Sequence, residues 1–243
     1  MKRYISLVLW GLIVLYLIFA AVFLSRKNNN LVCTGIKITI VDSLSNRFVT
    51  ENELKKMFLD TYPDLVGSSI KEMEFRAMEE TVQTHPAIQI CHIFSNPKGI
   101  LNIRILQYEP VVRVFTGSVS YYLDKTGHKI PASNKFNVRS LVVNGSIPNN
   151  TDDLMNVANF IKNDTFWDAQ IEQIYVKRNN EYILSPRVGD HLILLGTPSN
   201  IENKFRNLKA FYKQTNPKTW NQYKVINLKY KDQIVCSRNR LQI

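Results

Sequence analysis

Residues 84–115 read THPAIQICHIFSNPKGILNIRILQYEPVVRVF. Pro86 closes a helix, because its ring cannot continue one. Ile88 and Ile90 then open a strand. Leu101, Ile103 and Ile105 alternate with polar neighbours as its mate, across a turn at Asn96-Pro97-Lys98-Gly99. Glu109-Pro110 breaks the pattern. The stretch carries only two histidines and one glutamate of the common catalytic types, and they are scattered. A helix end and a hairpin without chemistry point to a structural or binding unit.

Upstream, Ile36, Ile38 and Ile40 alternate with Lys37, Thr39 and Val41, which predicts a strand with one buried face. Thr50-Glu51-Asn52-Glu53 is a capping box, and Leu54, Met57 and Phe58 give its helix an apolar stripe ended by Pro63. Ser69-Ile70-Lys71-Glu72 reads as a second capping box, before Ile70, Met73, Ala77, Met78 and Val82 at helical spacing. The order is β-α-α-β-β. That order predicts one sheet with both helices on one face and the other face left to solvent or a partner.

Downstream of Pro110 the strands become short. Val111–Phe115, Ser120–Leu123, Arg139–Val143, Ile171–Lys177, Tyr182–Leu184, His191–Leu195, Lys224–Lys229 and Gln233–Ser237 read as strands. Thr151 caps a helix carrying Leu154, Val157, Ala158 and Ile161. A third capping box, Ser199-Asn200-Ile201-Glu202, precedes Ile201, Phe205, Leu208 and Tyr212. The class is α+β, with a mostly antiparallel second domain holding two helices. The expected division is 1–27 cytoplasmic end and anchor, 28–110 first domain, 111–243 β domain.

Residues 4–24 are 21 positions without a charge, flanked by Lys2-Arg3 and Arg26-Lys27. At ~1.5 Å per residue they span a hydrocarbon layer of ~30 Å as a helix, so they read as a transmembrane signal anchor. A cleaved signal peptide would have a shorter apolar core and a small-x-small site, which Val22-Phe23-Leu24-Ser25 does not offer. The net charge of +11 is uneven. Residues 28–110 carry −2 and residues 111–243 carry +9. From Lys204 onward ten basic residues face only Asp232. That basic end suits an acidic partner. Nucleic acid would suit the charge as well, but not an exported body. Cys33, Cys91 and Cys236 form no CxxC, and three cysteines allow one bridge at most.

Asp124-Lys125-Thr126-Gly127 matches the aspartyl-phosphate motif of P-type ATPases in four residues alone, and a polar turn ending in Gly explains it. His85, His92, His128 and His191 share no metal-ligand spacing. No cofactor is expected. A membrane-anchored periplasmic enzyme acting on cell wall or glycan is the alternative class; it needs a concave pocket with converging polar groups. A scaffold can present an open sheet edge instead.

The β-α-α-β-β unit resembles a POTRA domain. With "THPAIQICHIF", "LNIRILQYEPVVRV", "SYYLDKTGHKIP" and "VRSLVVNG" in that order, the chain resembles the FtsQ/DivIB family of bacterial cell-division proteins, and the Gln-Tyr-Glu-Pro-Val-Val end resembles its Bacteroidetes branch. The resemblance implies a single-pass inner-membrane protein at the division site, with a periplasmic POTRA and β domain. It implies a non-enzymatic part of the division complex that binds the FtsB/FtsL pair. In the family the partner strand adds to the last strand, just after a Leu-Arg-Tyr motif. Here "VINLKYKDQIVCSRN" carries Leu228-Lys229-Tyr230, with Lys229 in place of Arg. An ammonium cannot fork onto a carboxylate as a guanidinium does. The expected partner surface is Leu228, Lys229, Tyr230, Ile234, Val235, Cys236 and Ser237. Lys204, Arg206, Lys209 and Lys213 on the preceding helix would supply charge.

Overall fold

The computed structural model describes residues 10–21, 31–41, 48–117, 119–133 and 136–238. The chain forms two compact units, Met1–Gln107 and Tyr108–Ile243.

In the first unit, β1 (Gly35–Ile40) is followed by α1 (Glu51–Thr61), a 3₁₀ turn at Ile70–Glu72 and α2 (Phe75–Gln83). The hairpin of β2 (Ile88–Ser95) and β3 (Ile100–Gln107) completes it. The sheet order is β1-β3-β2, with β3 parallel to β1 and antiparallel to β2. The two helices make the crossover that a parallel pair requires. Leu54 and Phe58 of α1 and Val82 of α2 pack against Ile38, Ile103 and Ile105, so both helices cover one face. The first capping box forms as read: Thr50 Oγ1 accepts from the Glu53 amide at 3.3 Å, and Glu53 Oε2 accepts from the Thr50 amide at 3.0 Å. The second does not. Ser69 makes no side-chain cap, Met73 is extended with ψ 125°, and the helix starts at Phe75 after Glu74. The hairpin turn is held by Asn96 Oδ1, which accepts from the amides of Lys98 and Ile100, each at 3.0 Å. Gly99 sits there at φ +81°, and a Cβ on it would collide with the Val32 carbonyl. The last residue of β3 has a structural task. Gln107, 2 % exposed, accepts the amides of Phe48 and Val49 at 3.0 and 3.1 Å and so ties down the approach to α1.

The expected anchor falls only partly on described residues. Residues 10–21 are helical with nearly all side chains exposed, including Trp10 and Phe19. Twelve residues at ~1.5 Å each reach ~18 Å, short of a ~30 Å hydrocarbon layer. Among the described residues no helix is long and apolar enough to cross a membrane. Residues 4–9 and 22–24 lie outside the described residues.

The second unit is a nine-stranded sheet under helices. Its strands are β4 (Pro110–Thr116), β5 (Val119–Asp124), β6 (Lys129–Pro131), β7 (Leu141–Gly145), β8 (Ile171–Val176), β9 (Tyr182–Pro186), β10 (Leu192–Gly196), β11 (Tyr223–Asn227) and β12 (Val235–Arg238). The order is β12-β11-β10-β9-β8-β7-β4-β5-β6. The pairings β4–β7, β7–β8 and β10–β11 are parallel, and the others are antiparallel. Three α-helices cover one face, not the two expected: α3 (Asp152–Asn163), α4 (Thr165–Gln170) and α5 (Ile201–Gln214). Leu154, Val157, Ala158 and Ile161 of α3, Trp167 of α4 and Phe205, Leu208 and Tyr212 of α5 enter one core. The six residues of α4 are too few to show a helical period, but its cap was readable: Asp164 Oδ1 accepts from the amides of Phe166 and Trp167 at 2.8 and 3.2 Å. The third capping box does not form either. Asn200 is left-handed at φ 53°, and Ser199 bonds Thr197 instead. Asp124 is 4 % exposed. Its Oδ1 accepts from the Thr126 amide, the Thr126 hydroxyl and the His128 amide at 2.8–2.9 Å, so the Asp-Lys-Thr-Gly stretch is a turn.

Candidate partner interface

Among the described residues, the last strand, β12, stands at the end of the nine-stranded sheet and pairs only with β11. Its outer side therefore presents unpaired backbone donors and acceptors. Val235 is 45 % exposed, and Ser237 and Arg238 are exposed too; the Cys236 thiol is half-buried against the core.

The turn between β11 and β12 is built from side chains that the strand pattern did not reveal. Leu228 is 2 % exposed, and its amide donates to the Leu194 carbonyl at 2.9 Å, so its side chain belongs to the core and not to a partner surface. The Lys229 amide donates to Asn227 Oδ1 at 3.0 Å. The Lys229 ammonium donates to Glu181 Oε1 at 2.5 Å, and the Lys177 ammonium to Glu181 Oε2 at 3.0 Å. These two bonds, the one to Lys229 foremost, pull the Glu181 carboxyl down to about 2. Gly196, at φ +73°, gives the Lys229 stem room: a Cβ there would meet Lys229 Cγ at 2.9 Å. Tyr230 is 51 % exposed.

Beside this turn lies an open cleft of about 320 Å³ whose lining includes Glu181, Lys204, Lys229, Tyr230 and Ile234. Lys204 donates to the Leu195 and Thr197 carbonyls at 3.0 and 2.7 Å, and partial burial together with Lys229 lowers its pKa. The expected residues are therefore split. Lys229, Tyr230, Ile234 and Lys204 share the cleft, and Val235, Cys236 and Ser237 form the edge strand. Lys209 does not join them. It lies about 140° round α5 from Lys204, donates to Asp164 Oδ2 at 2.9 Å and sits 5.3 Å from the Phe166 ring. Lys213 is exposed one helical turn further along α5.

The sheet face away from the helices was not foreseen in the β domain. Cross-strand pairing sets Tyr175, Ile183, Leu194, Asn227 and Val235 in one row, and Leu192, Val225 and Ser237 in the next. Their neighbours Ile174, Leu184, Ile193 and Ile226 are fully buried on the helix side. Both outward rows are largely apolar yet partly accessible: Tyr175 is 44 % and Val235 45 % exposed in the first, and Leu192 42 % in the second. These rows run from β8 to the edge strand β12.

A β-α-α-β-β unit with a parallel β1–β3 pair, followed by a nine-stranded sheet with β12 at its edge, defines a modular α+β protein of two domains. A POTRA-like domain family model matches residues 31–106. The family described as FtsQ/DivIB, C-terminal related, matches residues 109–237, more than half of the chain. The chain belongs to the FtsQ/DivIB family, with a POTRA domain before its C-terminal domain. Members are non-enzymatic cell-division proteins that interact with other division proteins. A search of curated proteins finds no match.

Proposed function

We propose that this chain is a non-enzymatic scaffold of the bacterial division complex, anchored in the inner membrane by residues 4–24 with its body in the periplasm, and that it binds FtsB/FtsL-type partners by strand addition to β12. The observation that carries the binding mode is the unpaired outer side of β12 at the sheet's end. A partner strand laid there gains backbone hydrogen bonds, and its side chains meet Val235, Ser237 and Tyr230. Lys229 and Lys204 favour an acidic segment and speed encounter, while Lys213 acts at longer range. Leu228 serves by fixing the turn from within the core. Lys209 serves by holding α5 to Asp164.

The test is capture of tagged full-length protein from its own envelope, followed by binding of the co-purified partner to purified variants. Val235→Pro removes an amide and a strand-compatible residue from β12 and should abolish capture while the far-UV spectrum is retained. Undiminished capture by a folded Val235→Pro protein would move the interface elsewhere, first to the open face of the POTRA sheet. A reporter fused to the C-terminus that is active only in the cytoplasm would overturn the topology.

A further inference from the structure

Three basic side chains from separate segments converge on a second cleft of the β domain, at the end of the sheet where β7 and β8 begin and β9 finishes. Arg139 precedes β7, Lys162 is in the last turn of α3 and Arg187 follows β9. With Ser140, Thr165 and Asp168 they line about 260 Å³. Their donors are largely unengaged. Lys162 reaches Asp168 at 3.2 Å, the one acid of the cleft. Among the described residues, the guanidiniums of Arg139 and Arg187 have neither an acidic partner nor a hydrogen bond, and the Thr165 hydroxyl has no partner. The Ser140 hydroxyl is buried in the wall behind them and closed off from the cleft. Two planar guanidiniums, an ammonium and the Thr165 hydroxyl lining one concavity are the donor set of an oxyanion site.

We infer that this cleft binds a phosphate group, held by Arg139 and Arg187, with the Thr165 hydroxyl and the Lys162 ammonium completing the contacts to its tetrahedral oxygens. It stands apart from the β12 edge and does not depend on the partner reading. Phosphate fits better than carboxylate because four separate donor groups converge, and a carboxylate offers only two oxygens in one plane.

The experiment uses the full chain in a neutral detergent, with amide shifts of Ser140, Leu141, Thr165 and Ala169 as readout. Inorganic phosphate is titrated, with acetate in parallel at equal ionic strength. A saturating response to phosphate is expected, at least tenfold tighter than to acetate, and weakened at least tenfold in Arg139→Gln/Arg187→Gln. Both residues are exposed, so the fold should survive; Ser140→Ala, a change behind the cleft wall, should leave binding within twofold of the parent. A second arm adds monomeric short-chain phosphatidylglycerol. Competition with inorganic phosphate at the same amides identifies a lipid headgroup as the source, and lack of competition identifies a soluble phosphate. Shifts that never saturate, that match between phosphate and acetate, or that persist in the double Arg variant would show ordinary charge screening and overturn the site.

Discussion

Tyr230→Ala separates the edge reading from its rivals more cleanly than any other single change. The side chain is 51 % exposed, so its loss leaves no buried void and should hardly alter stability. A tyrosine presents ~200 Å² in all, so about 100 Å² of it remains available to a partner. At ~25 cal/mol per Å² full burial of that surface contributes at most ~2.5 kcal/mol, and half burial ~1.2 kcal/mol. One decade of affinity is ~1.4 kcal/mol, which places the expected weakening between about eightfold and sixtyfold. The assay is titration calorimetry of the full-length protein with its co-purified partner, alongside a denaturant midpoint for each variant. Tyr175→Ala, on the outward row but four strands from the edge, is the comparison. Tyr230→Ala binding within twofold of the parent, with unchanged stability, would refute the placement of the partner on this turn. A larger loss in Tyr175→Ala would move the contact onto the open face.

Three further outcomes are expected. Leu228→Ala empties a site that is 2 % exposed and should cost about 3 kcal/mol of β-domain stability, read as a lower urea midpoint; an unchanged midpoint would place Leu228 on the surface after all. Maleimide should label the native protein once, at half-buried Cys236, because Cys33 and Cys91 are each 1 % exposed, and a bound partner should slow that labelling at least tenfold; labelling at equal rate with partner bound would contradict strand addition. His191 is 1 % exposed, its Nε2 lies 2.7 Å from the Tyr212 hydroxyl, and burial lowers its pKa against the opposing effect of Asp190. The unfolded chain then takes a proton near pH 6.5 that the folded chain refuses, so stability falls as pH drops from about 6.5 toward the lowered folded pKa. Half-buried His85 acts in the same direction, so the β-domain share is the part of that slope removed by His191→Gln.

Local chemistry was legible from the chain alone. The Thr50–Glu53 capping box, the Asn96–Gly99 turn, the Asp124 turn and the alternation of β2 and β3 depend on residues a few positions apart, so short-range sterics and hydrogen bonding decide them. Two further capping boxes were misread for the same reason in reverse. Ser69-Ile70-Lys71-Glu72 and Ser199-Asn200-Ile201-Glu202 have the right letters, but the extended backbone of Met73 and the left-handed Asn200 set the helix starts elsewhere. Strand order, and with it the position of β12 on the edge, came only with the tertiary structure, because three parallel pairings join segments far apart in the chain. So did the Lys229–Glu181 pair, whose members are 48 residues apart, and the withdrawal of Lys209 onto Asp164. Periodicity states which face of an element is apolar. It does not state which element lies against that face, or which long side chain two carboxylates away will reach it, since those depend on how distant segments share one core and one surface.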